Sequence, residues 1–175
     1  MEYQDIEGDF AEDIQFVITH KLLSGIGKKM FGSNRGITLS ELLDAFGVLS
    51  GIDLDKTRNY ETWAKGNGIV GHVITSVFAP DRVLTRQEIA AIMVGYAHLT
   101  GFSLPEIYTE TTFTDGDHIA GYAKAAIKII QKAGVMNGKD EGIFDPTAKV
   151  TRAEISQILH RYIMLTIFPE SIGKE

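Results

Sequence analysis

The chain contains no cysteine, so disulfide scaffolds, thiolate metal sites and cysteine nucleophiles are all excluded. It also lacks any apolar run near the roughly 18 residues that a membrane span requires, and it shows no lipid-anchor signal. Positive charge is in short supply: 17 Lys and Arg stand against 23 Asp and Glu, a formal charge of -6. Broad nucleic-acid binding, which needs a basic face to displace phosphate counterions, is therefore not expected, and any anionic ligand must be met locally. Residues Met1 to Phe10 are acidic and carry no apolar stretch, so they do not form a secretory h-region; an exported protein would be present here as a mature fragment. His20, His72, His98, His118 and His160 lack metal-site spacing. Asp115-Gly-Asp117 and Asn137-Gly-Lys-Asp140 lack the terminal bidentate glutamate of a calcium loop. No phosphate cradle and no nucleophile–base pair stands out, so neither a metal, a cofactor nor an enzymatic activity is expected.

What is present is a soluble globular composition, with 44% hydrophobic and 23% charged residues, and an internal repeat. Three segments align: Phe31-Gly-Ser-Asn-Arg-Gly-Ile-Thr38, Phe78-Ala-Pro-Asp-Arg-Val-Leu-Thr85 and Phe144-Asp-Pro-Thr-Ala-Lys-Val-Thr151. Each sets an aromatic residue seven positions before a threonine, with an aliphatic residue directly before that threonine. Glutamate follows at the third position in every case, as Glu41, Glu88 and Glu154. Thr-x-x-Glu is the capping box, in which the threonine hydroxyl accepts from the N3 amide and the glutamate reaches back to the N-cap amide. Helices are predicted from these three points. Their apolar stripes are Leu42, Ala45, Phe46 and Leu49; Ile89, Ile92, Met93 and Tyr96; and Ile155, Ile158, Leu159 and Tyr162.

Upstream of each aromatic residue a second helix is predicted, over about Ala11–Ser24, Tyr60–Asn67 and Ile119–Ala133. The stops are Gly25-Ile26, Gly68-Ile69 and Gly134-Val135, where glycine supplies the left-handed turn and the aliphatic residue covers the last helical turn. Gly51–Asn59 and Gly101–Thr112 read as connectors, the second with a short helical turn near Pro105–Tyr108.

The third unit, with Phe113-Thr-Asp115, Gly134-Val-Met-Asn-Gly138, Phe144-Asp-Pro146 and Val150-Thr-Arg-Ala-Glu154, resembles the S-layer homology family. The second unit is similar through Trp63-Ala64, Gly68-Ile-Val-Gly71, Phe78-Ala-Pro80 and Thr85-Arg-Gln-Glu88, without a visible opening aspartate. The first is the most divergent: Tyr3-Gln-Asp5 and Gly25-Ile26 fit, but the loop is four residues shorter and Leu39 stands where the family has arginine. The resemblance implies an all-α fold, with three helix-loop-helix repeats in a pseudo-threefold prism around a central helical bundle. The divisions would be 1–52, 53–102 and 103–175. A helix pair with one apolar face cannot bury that face alone, which agrees with this architecture.

The resemblance further implies binding of secondary cell-wall polysaccharide, through pyruvylated sugars, in grooves between repeats, and a place in the bacterial cell wall or S-layer. Arg86 and Arg152 occupy the first helical position, where a cation gains nothing from the macrodipole, and a carboxylate ligand would explain them. A double replacement by alanine is then expected to abolish wall binding and leave helicity intact. Trp63 serves either as packing or as a platform for a sugar face. Gly71 and Gly138 permit a tight turn beside the ligand. Thr38, Glu41, Thr85, Glu88, Thr151 and Glu154 are structural caps, and Asp5 and Asp115 cap a following helix or fix the groove backbone. The competing reading is a repeat that kept its fold and became a protein-interaction or surface-layer assembly module, prone to self-association.

Overall fold

The computed structural model describes residues 3–6, 8–54, 59–71, 73 and 77–168. Among these the chain is all-α, with six α-helices, short 3-10 turns and two isolated β-bridges. The helices are α1 (Ala11–Thr19), α2 (Leu39–Leu49), α3 (Tyr60–Gly66), α4 (Arg86–Thr100), α5 (Lys124–Lys132) and α6 (Arg152–Ile167). Helices α2, α4 and α6 begin directly after the three capping threonines. Their stripes are buried except at Leu49, which is 39% exposed because α2 ends there. Residues 55–58 of the first expected connector lie outside the described residues, as does His72.

Two of the three predicted glycine stops operate as expected. Gly68 and Gly134 adopt φ of 69° and 72°, and the following Ile69 and Val135 amides reach back to Ala64 O and Ile130 O. That is the paired bonding of a Schellman cap. The first stop is a correction. Helix α1 ends at Thr19, not near Ser24, and Lys21 takes the left-handed position with φ of 59°. Its amide donates to Ile18 O and that of Leu22 to Val17 O, so the same cap forms four residues early, without glycine. Gly25 has another duty: a Cβ there would lie 2.3 Å from the ring of Tyr3, whose hydroxyl accepts the Gly25 amide at 3.1 Å.

The chain divides into two compact units, one of Met1–Tyr60, Ala79–Leu84 and Lys149–His160, the other of Glu61–Phe78, Thr85–Ala148 and Arg161–Glu175. In the first, the residues directly before the three threonines close a ring of main-chain bonds. Ile37 N donates to Val150 O at 2.9 Å, Val150 N to Leu84 O at 3.2 Å, and Leu84 N to Ile37 O at 3.0 Å. All three side chains are fully buried, which is why each position is aliphatic. Burial of such a side chain contributes roughly 1.5–3 kcal/mol, and removal from water forces its polar main chain to find a partner. The ring supplies one. Phe31, Leu42, Phe46, Ile155 and Leu159 complete this core.

In the second unit α4 packs on α5. Gly95 permits close contact with the turn after α3, since a Cβ there would stand 2.6 Å from Ile69 O. The Gly101–Thr112 connector holds no helical turn at Pro105–Tyr108, contrary to expectation. It runs as an extended strap along α5: Ile107 N and Tyr108 N both donate to Lys132 O at 2.9 Å. Buried Gln131 accepts from Thr111 N and donates to Thr109 O. These outward bonds take the amides a helical turn would need.

Candidate functional site

The three helix starts share one construction. Glu41 Oε2 accepts from Thr38 N at 3.0 Å, Glu88 Oε2 from Thr85 N at 2.8 Å, and Glu154 Oε2 from Thr151 N at 2.7 Å. The threonine hydroxyls of Thr38 and Thr151 accept the amides of Glu41 and Glu154. The next two amides dock on the loop that carries an aromatic residue. Arg152 N and Ala153 N donate to Arg35 O and Ser33 O, and Leu39 N and Ser40 N to Arg82 O and Pro80 O. In the second unit Arg86 N and Gln87 N donate to Ala148 O and Pro146 O at 3.0 Å. The orphan amides of a helix start, expected to meet an anionic ligand, are thus satisfied within the protein.

The arginines correct the expectation more sharply. Arg86 and Arg152 are buried, at 6% and 1% exposure, and carry partners. Arg86 Nε donates to Phe144 O and Nη2 to Asn137 O, both at 2.7 Å, with its guanidinium carbon 4.9 Å from the Phe144 ring centre. Arg152 repeats this arrangement in the first unit: Nε donates to Phe31 O at 3.0 Å, Nη2 to Ser24 O, and the guanidinium lies 4.6 Å from the Phe31 ring centre. Arg152 Nη1 also donates to Glu41 Oε1 at 2.5 Å, and half-exposed Arg35 pairs with the same oxygen. Burial lowers the Arg152 pKa, opposed by the Glu41 charge, with nearby Arg35 adding to the lowering. What favours these cations against the macrodipole is main-chain carbonyl and aromatic ring, joined at Arg152 by the Glu41 carboxylate.

The opening aspartates grip the same loops from the other side. Asp5 accepts from Phe31 N, Gly32 N and Ser33 N at 2.7, 2.6 and 3.0 Å. Asp115 accepts from Phe144 N and Asp145 N at 2.8 Å each. Burial raises both carboxyl pKa values, and the amide bonds outweigh it, leaving each below the ordinary range. Phe31 and Phe144 therefore have the N–H held by aspartate, and the C=O and ring by arginine. Of the two roles foreseen for Asp5 and Asp115, the structure shows loop fixation.

The remaining residues separate. Gly138 is sterically required, because a Cβ would stand 2.6 Å from Phe113 Cε1 and 2.9 Å from Ile143 O. Gly71 is not: its nearest contact would be Gly68 O at 3.7 Å. Neither has positive φ. Gly71 instead lies on the rim of a hollow of about 240 Å³ with Gly95, His98 and Tyr122. Trp63 is half-buried on α3, and its carbonyl accepts from the Asn67 amide and side chain. Ser24, Asn137, Arg35, His98 and Tyr122 had not been expected at a site, His98 and Asn137 having been weighed only as metal ligands and set aside. The first two act through carbonyls, which every residue type supplies, so residue identity holds no signal for them.

One segment of the chain matches a known family. Residues 112–155 match the S-layer homology domain. The segment runs from just before Phe113 to just after Glu154, taking in the Asp115 grip, Gly138 and the Thr151–Glu154 cap. This supports the S-layer homology family for the chain. An amylopullulanase of Thermoanaerobacterium thermosulfurigenes is 25% identical over 173 residues, 90% of this chain and 9% of that protein. The exoglucanase XynX of Acetivibrio thermocellus is 23% identical over 172 residues, 90% of this chain and 16% of its own. A surface-layer 125 kDa protein of Lysinibacillus sphaericus is 23% identical over 177 residues, 93% of this chain and 15% of its own. The chain thus spans less than a fifth of each of these relatives. Among the described residues no helix is long and apolar enough to cross a membrane, and no cluster of three metal-ligating side chains occurs.

Proposed function

We propose that this chain is a non-catalytic anchor that holds an exported bacterial protein on its cell wall by non-covalent binding of an anionic, pyruvylated secondary wall polysaccharide. One observation carries the reading: S-layer homology sequence in a stretch of chain that aligns with an amylopullulanase, an exoglucanase and a surface-layer protein. Proteins whose names denote such different tasks share this small part, so the part serves attachment and not the reaction of any one of them. The division into repeats at 1–52, 53–102 and 103–175 and their prism arrangement belong to the same proposal. The ring of Ile37, Leu84 and Val150, one residue from each stretch, supports them.

Within it, Arg86 and Arg152 are positioning residues that hold the Phe144 and Phe31 loops, while Trp63, Gly71 and Gly138 line the polymer. The test is co-sedimentation with purified sacculi. Binding is expected to fall when pyruvyl groups are absent and to weaken at high salt. Equal sedimentation with stripped and intact sacculi, or none with either, overturns the mechanism. Because each arginine holds the carbonyl of a buried phenylalanine, replacement by alanine is expected to lower stability together with binding, correcting the expectation of intact helicity. The alternative, an assembly module, is favoured by Leu39 in place of arginine in the first stretch and by the surface-layer relative. Light scattering that shows self-association, with indifference to sacculi, would establish it.

A further inference from the structure

Three places in the chain set asparagine or aspartate directly before glycine: Asn67-Gly68, Asp115-Gly116 and Asn137-Gly138. Such a pair can close on itself, because a glycine amide, with no side chain beside it, reaches the carbonyl carbon of the preceding side chain. The fold treats the three pairs differently.

At Asn67-Gly68 both reacting groups are engaged. The Asn67 side-chain amide donates to Trp63 O at 2.7 Å, and Gly68 N donates to Lys65 O at 3.1 Å within the cap that ends α3. At Asp115-Gly116 the carboxylate holds the Phe144 and Asp145 amides, while Gly116 N donates to Phe113 O at 3.1 Å. Asn137-Gly138 has neither restraint. Both residues are exposed and outside any helix, and among the described residues the Asn137 side chain and the Gly138 amide have no hydrogen-bond partner. The Asn137 carbonyl is the group that Arg86 Nη2 holds, at 2.7 Å. Glycine cannot be exchanged here, since a Cβ would stand 2.6 Å from Phe113 Cε1 and 2.9 Å from Ile143 O. The packing that demands Gly138 therefore keeps the reactive pair in place.

We propose that Asn137-Gly138 is a site of spontaneous deamidation, and that its isoaspartate product loosens the loop that Arg86 holds. Gly138 N loses its proton and bonds to Asn137 Cγ, the Cγ–Nδ2 bond breaks, and ammonia leaves with that proton. Water then opens the cyclic imide at either carbonyl. Opening at Cγ gives aspartate on the original main chain. Opening at the main-chain carbonyl carbon gives isoaspartate, whose chain runs through Cβ and Cγ: the carbonyl that Arg86 grips becomes a free carboxylate, and the path into Gly138 gains one atom. That atom displaces Gly138 in a space too tight for a Cβ. The chemistry stands whether or not the chain binds a wall polymer.

The test incubates the whole folded chain in mildly alkaline buffer and follows its tryptic peptides by mass spectrometry. Cleavage after Lys132 and Lys139 isolates Asn137, and cleavage after Lys65 and Arg82 isolates Asn67. Each conversion adds about 1 Da. Asn137 is expected to convert at least about tenfold faster than Asn67, whose cap must first open, whereas in the urea-unfolded chain the two rates should be alike. The isoaspartate form, separated by chromatography and identified by enzymatic methylation of its free carboxylate, should melt a few degrees lower than the original chain. Asn137→Asp, with the same charge on the ordinary main chain, should melt within about one degree of it. Asn137→Gln, which would need a larger ring to close, should stop the conversion. Asn67 converting as fast as Asn137 in the folded chain, an inert Asn137 over a period that converts the unfolded chain, or one Tm for the isoaspartate form and Asn137→Asp would each overturn the proposal.

Discussion

Arg152 donates to Glu41 across 111 residues of chain, at 2.5 Å, and the same carboxylate caps the helix that follows Thr38. One glutamate thus completes a local cap with Oε2 and neutralises a buried cation with Oε1. The local half of this arrangement is written in the spacing Thr-x-x-Glu; the distant half is not.

Removing Glu41 should cost more than losing a cap. Glu41→Ala leaves Arg152, 1% exposed, without its counter-ion, and is expected to destabilise the fold by about 3 kcal/mol. Arg35→Ala removes a partner whose side chain is 41% exposed, and should cost less than about 1 kcal/mol. Urea unfolding of the two variants measures the difference. Equal losses would mean that the buried pair contributes no more than the surface one.

Acid should loosen the aromatic loops before it melts the helices. Asp5 and Asp115 have carboxyl pKa values below their ordinary range in the folded chain, so the unfolded chain takes up protons first. The stability they contribute is fully present above the unfolded value of about 3.9 and is lost as pH falls through the lower folded values. Stability measured from pH 6 downward should therefore drop most steeply below about pH 4. The Asp5→Asn, Asp115→Asn double variant should start lower and show a shallower acid slope. An unchanged slope would show that neither carboxylate is linked to folding.

Lys21 occupies a backbone conformation that disfavours a side chain by about 1–2 kcal/mol. Lys21→Gly is expected to stabilise the chain by about 1 kcal/mol, raising Tm by a few degrees. Gly134→Ala, with φ of 72° and a Cβ 2.4 Å from the Tyr108 ring, should lower it. Thermal melts followed by circular dichroism decide both, and a lower Tm for Lys21→Gly would refute the strain argument.

Much of the fold was legible because its signals are local. Capping boxes, apolar stripes and the stops at Gly68 and Gly134 involve residues within a few positions of one another, so α2, α4 and α6 begin and α3 and α5 end accordingly; α5, which has no capping box, begins at Lys124 and not near the expected Ile119. The stop of α1 escaped detection because Lys21 adopts the conformation without the residue type that advertises it. The strap at Pro105–Tyr108 was misread as a turn because its main-chain acceptor, Lys132 O, lies on another element.

The candidate site was the least legible part. That Arg86 and Arg152 needed a partner followed from their place at a helix start; which partner did not. The acceptors are carbonyls of Asn137, Phe144, Phe31 and Ser24, between 51 and 128 residues away, and a carbonyl leaves no trace in residue identity. By itself the sequence determined where the three capped helices start, which faces they bury and that three stretches share one pattern, because those properties arise from spacing along the chain. Only the tertiary structure decided that the two buried arginines hold loops together, because that depends on which distant backbone is brought within 3 Å of a guanidinium.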